Sequence, residues 1–286
     1  MRFKRISSSI LLFPFLWLNP ILDKSALGII PFYSVPYGDE LEKESLSIGR
    51  SAYQLLYFGQ IKEALNLAEL AISINNTNEK LWAILAEVQI ANNLKKEALE
   101  SLKIGKKINP EMSELYFAES SIHVSEKNYN RAKKAILKGI EIEPKNTTAI
   151  FQLGNIYLME SNYIKAINSF NAAIKYKKDF WQAINNIGLA YFELDETELS
   201  IKYFENAMKF EINAEPMLGL ATSIQNNNRE KAIELTKKAL IQDPKYVSER
   251  YRKEQLWGKK IQKATNKLLK FKELQDDINL AKEYLK

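Results

Sequence analysis

A single histidine is the side chain of this sequence best suited to acid-base chemistry. His123 is the only histidine among the 286 residues, and the chain contains no cysteine. An imidazole can serve as a general base or a metal ligand, but either role needs partners that orient it. The spacing assigns no nucleophile, acid or second metal ligand to His123. We therefore expect a packed histidine, and a chain with no catalytic residue, no cofactor and no metal site.

Two short patterns resemble active-site motifs but lack the residues that the chemistry requires. Gly258-Lys259-Lys260 has neither the upstream glycine nor the following Ser or Thr of a phosphate-binding loop. The carboxylates in "DELEKE" and "QDDINL" stand among polar residues, as on solvated helix faces. The sequence therefore predicts that the protein is not an enzyme.

Two adjacent amides, Asn185 and Asn186, interrupt the apolar pattern of "WQAINNIGLAYF", residues 181–192. An amide both donates and accepts hydrogen bonds, so it can hold the backbone of a bound peptide without reading its side chains. The alternative is that the two amides belong to the architecture. The helices that position them decide between these interpretations.

The first 28 residues differ from the rest. A cationic start precedes a nine-residue apolar run, 10–18, which is shorter than an ordinary transmembrane helix. Ala26 and Gly28 suit cleavage after Gly28. A cleaved signal peptide, an uncleaved anchor and an apolar tail without a role in export all stay open. The first two place the remainder outside the cytoplasm and the third leaves it cytoplasmic. Amino-terminal sequencing of the native protein separates them, because cleavage predicts a start near Ile29.

Residues 29–44 carry two prolines and a glycine, which favour extended or turn backbone, and we predict a linker there. Beyond it, residue types recur at a spacing of 34. Alanines follow this interval at positions 64, 98, 132 and 166, and glycine, tyrosine and phenylalanine pairs keep the same phase at 154/188, 157/191 and 170/204. A period of this length indicates a solenoid of repeated units.

Each unit reads as two amphipathic helices with a polar turn between them. Ile150, Leu153 and Tyr157 fall on one apolar stripe, and a second stripe follows the turn-like "ESNY". Gly154 and Ala166 are small where the stripes are otherwise bulky, so the two helices can approach closely. Proline in "INPE", "IEPK" and "QDPK" ends the second helix. The unit is a helical hairpin.

These anchors resemble the tetratricopeptide repeat. In unit 181–214, Ile184, Ile187, Gly188 and Tyr191 stand where that repeat carries Trp, Leu, Gly and Tyr. The resemblance implies an all-α, right-handed α-solenoid. It divides the chain into six units, 45–78, 79–112, 113–146, 147–180, 181–214 and 215–246, followed by basic capping helices over 247–286.

In this family the first helices of successive hairpins line a concave groove that binds a peptide or helix of a partner protein. Transferred to this sequence, the resemblance implies a set of groove residues: Arg50, Tyr53, Phe117, Phe151, Asn155, Asn185, Asn186 and Phe192. Asn155 and Asn186 fall on consensus asparagines, so a solvated consensus role stays open. Phe151 stands where a clamp for a carboxy-terminal carboxylate would need lysine, which argues against such a clamp.

The carboxy-terminal region is strongly basic. Residues 250–272 hold nine Lys or Arg against one acid, Glu254. A solubilising cap explains this charge, and a surface for anionic lipid or an acidic partner is the alternative, formed by Lys259, Lys260, Lys263 and Lys267. Nucleic acid is disfavoured because aromatic residues are not interleaved with the charges. Steeply salt-dependent binding to single-stranded RNA would support the alternative that the chain is an RNA-binding helical-repeat protein. The oligomeric state is not predicted.

The overall plan, a signal-like segment followed by "PFYSVP", "FWQAINNIGLAYFEL" and "YRKEQLWGKK", is similar to a group of cyanobacterial and plastid tetratricopeptide proteins. That resemblance implies an assembly factor for membrane, including photosynthetic, complexes in the periplasm or thylakoid lumen. The expected protein is therefore a non-enzymatic scaffold. A peripheral membrane protein that uses the basic tail remains the alternative.

Overall fold

The computed structural model describes residues 38–285, and within them the regular structure is helical. The predicted signal segment, its cleavage site and most of the linker lie outside the described residues. The first helix begins at Asp39, so residues 39–44 are helical and not the extended linker that we predicted. The helices are α1 (Asp39–Tyr57), α2 (Ile61–Ile74), α3 (Glu79–Ala91), α4 (Lys95–Ile108), α5 (Ser113–Ser125), α6 (Tyr129–Ile142), α7 (Thr147–Met159), α8 (Tyr163–Tyr176), α9 (Trp181–Glu193), α10 (Thr197–Phe210), α11 (Ala214–Ile224), α12 (Arg229–Gln242), α13 (Glu249–Glu254), α14 (Lys259–Leu268) and α15 (Gln275–Glu283), with 3-10 turns at Pro244–Val247 and Lys272–Leu274.

Helices α1 to α12 pair as consecutive hairpins, each packed on the next. In the first five hairpins the turn places one residue in the left-handed region, and these residues recur every 34 positions: Gly59, Asn93, Lys127, Ser161 and Asp195, with φ between 58° and 76°. The residue after the left-handed one is then the N-cap of the second helix. Asn128 and Asn162, for example, accept hydrogen bonds from Arg131 N and Lys165 N. The repeat is therefore encoded in the turns as well as in the apolar stripes.

Small residues let the helices cross closely, as the sequence predicts. The Phe170 ring lies directly over Gly154, and the Phe204 ring lies between Gly188 and Gly219. Both phenylalanines are fully buried. The glycines therefore create the space that the rings of the second helices fill.

Gly154→Ala is expected to destabilise the protein, although alanine is ordinarily the better helix former. The new Cβ would lie 2.5 Å from Phe170 Cε1, and overpacking of this kind costs about 1 to 3 kcal/mol. Urea denaturation of the variant measures the cost. Gly154→Ala combined with Phe170→Leu should recover part of the loss. A stabilised single variant would contradict the crossing described here.

The carboxy-terminal region does not form one cap. Helix α15 packs on α12 and on the Pro244–Val247 turn, so it covers the end of the stack as a cap should. Helix α14 instead folds back against α11 and α9. Its buried face consists of Ile261, Gln262, Thr265 and Leu268, two of which are polar. The predicted capping role of 247–286 therefore applies to α15 and not to α14.

No helix within residues 38–285 has the length and apolar character needed to cross a bilayer.

Candidate functional site

The first helices of the hairpins, α1, α3, α5, α7, α9 and α11, form one face of the stack, which we call the groove face. The C-terminal segment, defined as residues 249–268, contains α13 and α14. Helix α14 lies on α9 and α11. All eleven residues of α11 and nine of the thirteen in α9 are buried. The chain therefore fills one end of its own groove face.

A buried carboxylate fixes the start of α14. Glu193 Oε1 accepts from Ile261 N at 2.9 Å, and Glu193 Oε2 accepts from Lys260 N at 3.2 Å. The amino terminus of a helix carries unpaired N–H groups and partial positive charge, so the carboxylate stabilises it. Gly258 precedes the helix, where a Cβ would lie 2.3 Å from Glu193 Cδ. Glycine at 258 is therefore required for this contact.

A second carboxylate, Glu215, anchors the middle of the C-terminal segment, between α13 and α14. Trp257 Nε1 donates to Glu215 Oε1 at 3.0 Å, and the indole is only 4% exposed. Burial raises the pKa of Glu215 to about 7, against hydrogen bonds from Trp257, Asn185 and Tyr246 that lower it. Burial also raises the pKa of Tyr246. Glu215 therefore occupies an apolar site with few donors, where its charged form is costly.

A buried arginine holds the C-terminal segment to the turn before it. The guanidinium of Arg252 is fully buried and donates to the backbone oxygens of Tyr246 and Val247 at 2.6 and 3.0 Å. It also donates to the side-chain oxygens of Gln262 and Asn266. Burial lowers the pKa of Arg252 to about 10, which leaves it charged at neutral pH. These four acceptors join the turn to α14.

The side-chain amides of Asn155, Asn185 and Asn186 form a connected row. Asn186 Nδ2 donates to Asn155 Oδ1 at 3.0 Å, and Asn185 Nδ2 donates to Asn186 Oδ1 at 3.2 Å. Asn185 is completely buried, and its Oδ1 has no hydrogen-bond partner among the described residues. The row joins α7 to α9 beneath the C-terminal segment.

Comparison with known families identifies this architecture. Residues 113–146, 147–180 and 182–211 match the family model of the tetratricopeptide repeat. The chain contains tetratricopeptide repeats over these residues. No curated protein matches its sequence.

Solved tetratricopeptide structures share the fold at low sequence identity. A crystal structure of MamA is 23% identical, covering 56% of this chain and 94% of its own, with a TM-score of 0.52. PilF of Pseudomonas aeruginosa is 15% identical, covering 75% and 98%, with a TM-score of 0.64. PilW, a type IV pilus biogenesis factor, is 15% identical, covering 68% and 91%, with a TM-score of 0.61. These likenesses establish the fold of the repeats.

The predicted groove residues of this chain fall into two groups. Arg50 and Tyr53 on α1 are exposed, and Asn155 is half-buried. The others are packed. Phe117 lies against Gly139, and Phe151 contacts the rings of Phe170 and Phe180, with centroids 5.5 and 4.8 Å away. Phe192 packs on the core around α11, while Asn185 and Asn186 are buried. Phe117, Phe151 and Phe192 keep part of their surface exposed, so their contact with a partner stays a prediction, whereas burial leaves Asn185 and Asn186 unavailable to a partner in this conformation.

The four lysines predicted to form a basic surface also fall into two groups. Lys259, Lys263 and Lys267 are exposed on one side of α14 and line a cleft, whereas Lys260 pairs with Asp195. His123 is buried in the tyrosine position of its repeat, with Nδ1 3.2 Å from Glu126 Oε2. Within residues 38–285, no three His, Asp or Glu side chains are grouped to hold a metal ion.

Sequence reasoning missed Glu193, Glu215, Arg252 and Trp257 as the residues that seat the C-terminal segment. One signal was present. Asn185 occupies the position that phenylalanine holds in the two preceding repeats. Asn185 hydrogen-bonds Glu215, which also accepts from Trp257 of the C-terminal segment. The replacement of phenylalanine by asparagine therefore marks the repeat at which this segment is held.

Proposed function

We propose that this protein is a non-enzymatic scaffold that binds a segment of a partner protein on the part of the groove face that its C-terminal segment leaves open. The single observation that carries the proposal is that α14 already lies on α9 and α11. The groove face of this chain therefore accommodates a helix, with its amino terminus capped and its apolar side chains buried. A partner is left with the first helices α1, α3, α5 and α7.

The open part offers the contacts that a bound chain needs. Tyr53 is 51% exposed, and Arg50 lies beside it on the same helix. Ser121 and Gln152 are exposed on α5 and α7. An exposed aromatic ring beside an arginine is typical of a surface at which a few residues dominate binding. Such a surface suits a peptide or a helix.

Tyr53→Ala is expected to weaken partner binding about tenfold, because truncating an anchoring side chain costs more than about 1 kcal/mol. Quantitative capture of the partner from native membranes measures the change. Tyr176→Ala is the matched control, since Tyr176 is 46% exposed but lies on the second helix α8. Equal recovery with both variants would contradict a partner site on the open groove face.

The finer proposal is an exported or membrane-tethered assembly factor for membrane complexes. It rests on the signal-like segment and on the overall sequence plan. PilW, which shares the fold, is a biogenesis factor of type IV pili, an instance of the fold in the assembly of a larger structure. A mature amino terminus near Ile29 in the native protein supports this proposal, and an unprocessed cytoplasmic protein counts against it.

A further inference from the structure

A cleft of about 890 Å³ separates the C-terminal segment from the turns of two hairpins, α5–α6 and α7–α8. One wall is lined by five lysines: Lys253, Lys259, Lys263 and Lys267 of the C-terminal segment, and Lys270 just after it. All five are exposed, and none forms an ion pair with a carboxylate of residues 38–285. This wall therefore presents a row of free positive charges.

The opposite wall is largely apolar. Val124, Leu158 and Met159 come from the ends of α5 and α7, and Tyr129 and Tyr163 begin the second helices. These side chains face the lysine row across the cleft. Ser125, Lys127 and Ser161 of the two turns also line the cleft. A ligand that fills the space therefore suits the lysine row with an anionic side and most of the opposite wall with an apolar side.

The acidic residues at the cleft are already engaged. Glu193 caps α14, Glu249 Oε2 accepts from Asn266 Nδ2 at 2.8 Å, and Glu254 pairs with Arg250 at 3.0 Å. Only the charge of Glu254 is paired with a cation; Glu193 and Glu249 accept from neutral N–H groups, and none of the three forms an ion pair with a cleft lysine. They do not neutralise the lysines of α14, which stay available to an outside anion.

The spacing of the lysines along α14 matches the side-chain spacing of an extended peptide. Lys259, Lys263 and Lys267 are four residues apart on one helix, which separates them by about 6 Å along its axis. In an extended chain, side chains on the same face recur about every 6.7 Å. A strand beside α14 therefore matches acidic side chains at alternate positions to successive lysines. The intervening side chains then point to the apolar wall.

We infer that this cleft binds an extended acidic segment of a partner protein in which Asp or Glu alternates with apolar residues. The inference deepens the proposed function by naming the chemistry of a bound segment, and it rests on that function. It differs from a carboxylate clamp, since the basic residues come from the C-terminal segment and not from the first helices. The lysines face another wall of the same molecule, so a flat anionic bilayer would not reach them together.

Fluorescence anisotropy with the full chain and labelled peptides of about nine residues tests the inference. The first peptide alternates Glu with Leu or Val. The second has the same composition with the glutamates in one block, and the third replaces Glu by Lys. The alternating peptide should bind at least about tenfold tighter than either of the others, and more weakly at about 0.5 M than at about 0.05 M salt.

Lys259→Glu, Lys263→Glu and Lys267→Glu combined should reduce that binding at least about tenfold, and the corresponding glutamine variant should reduce it less. The matched control changes Lys62, Lys175 and Lys209 to Glu, which alters net charge equally at exposed lysines of α2, α8 and α10. Circular dichroism checks that each variant is folded.

Equal binding of the alternating and block peptides, or equal losses in the two charge-reversal variants, would overturn the inference. So would lysine-dependent binding only to phosphatidylserine vesicles or to oligouridine. In each of these cases the Tyr53→Ala comparison still reports on the open groove face. Failure of the cleft is therefore distinguishable from failure of the scaffold.

Discussion

Trp257→Ala is expected to lower the free energy of unfolding by about 3 to 5 kcal/mol, the usual cost of truncating a fully packed tryptophan. The indole is 4% exposed and packs in the core around α11 and α12, with its ring centroid 6.2 Å from that of Tyr246. Its removal also deprives Glu215 of one of its three donors. A buried carboxyl without that partner adds to the cost.

Chemical denaturation measures the loss, and hydrogen exchange locates it. Exchange should accelerate most in α9 and α11, which the C-terminal segment covers. Trp181→Ala is the matched control, since Trp181 is only half-buried at the start of α9. A loss below about 1 kcal/mol for Trp257→Ala would mean that the C-terminal segment is not part of the core.

Glu215→Gln is expected to stabilise the protein at neutral and alkaline pH. The pKa of Glu215 rises from 4.5 to about 7 in the folded protein, so between these values the folded state retains a proton that the unfolded chain releases. Stability therefore falls as pH rises from about 4.5 to about 7, by about 3 kcal/mol in all. Glutamine carries no charge and still offers an oxygen to Trp257 Nε1.

Urea denaturation at about pH 5 and about pH 8 tests this expectation. The variant should exceed the natural protein by up to about 3 kcal/mol at the higher pH, with the advantage shrinking at the lower. Glu205→Gln is the control, because Glu205 is exposed on α10. A variant that loses stability at about pH 8 would show that the Glu215 charge is well solvated or paired.

The repeat fold follows from sequence because each unit carries its own signals. Alanine and glycine at the crossings, phenylalanine opposite them, and turns at a fixed interval specify the same hairpin several times over, so single departures do not obscure it. The left-handed residues show this redundancy, since glycine occupies that position only at Gly59 and the turn persists with lysine and serine.

The path of α14 does not follow from sequence in the same way. Its apolar residues can pack on any apolar surface of complementary shape. Their spacing therefore predicts that the helix is packed, but it does not predict where the helix lies. The location depends on single contacts between distant residues, such as Glu193 with Ile261 N and Glu215 with Trp257. No repeated pattern encodes them. The burial of Asn185 and Asn186 does not follow from sequence for the same reason, since it depends on the elements that pack around them.

The C-terminal segment is also synthesised after all the repeats that it packs on. Chains grow at about 5 to 20 residues per second from the amino end, so α1 to α12 exist for a few seconds before Trp257 and α14 follow. In that interval α9 and α11 expose the apolar surface that α14 later covers. A newly made chain is therefore open along its entire groove face for a brief time. Aggregation or premature capture by a partner at its last repeats is confined to that time.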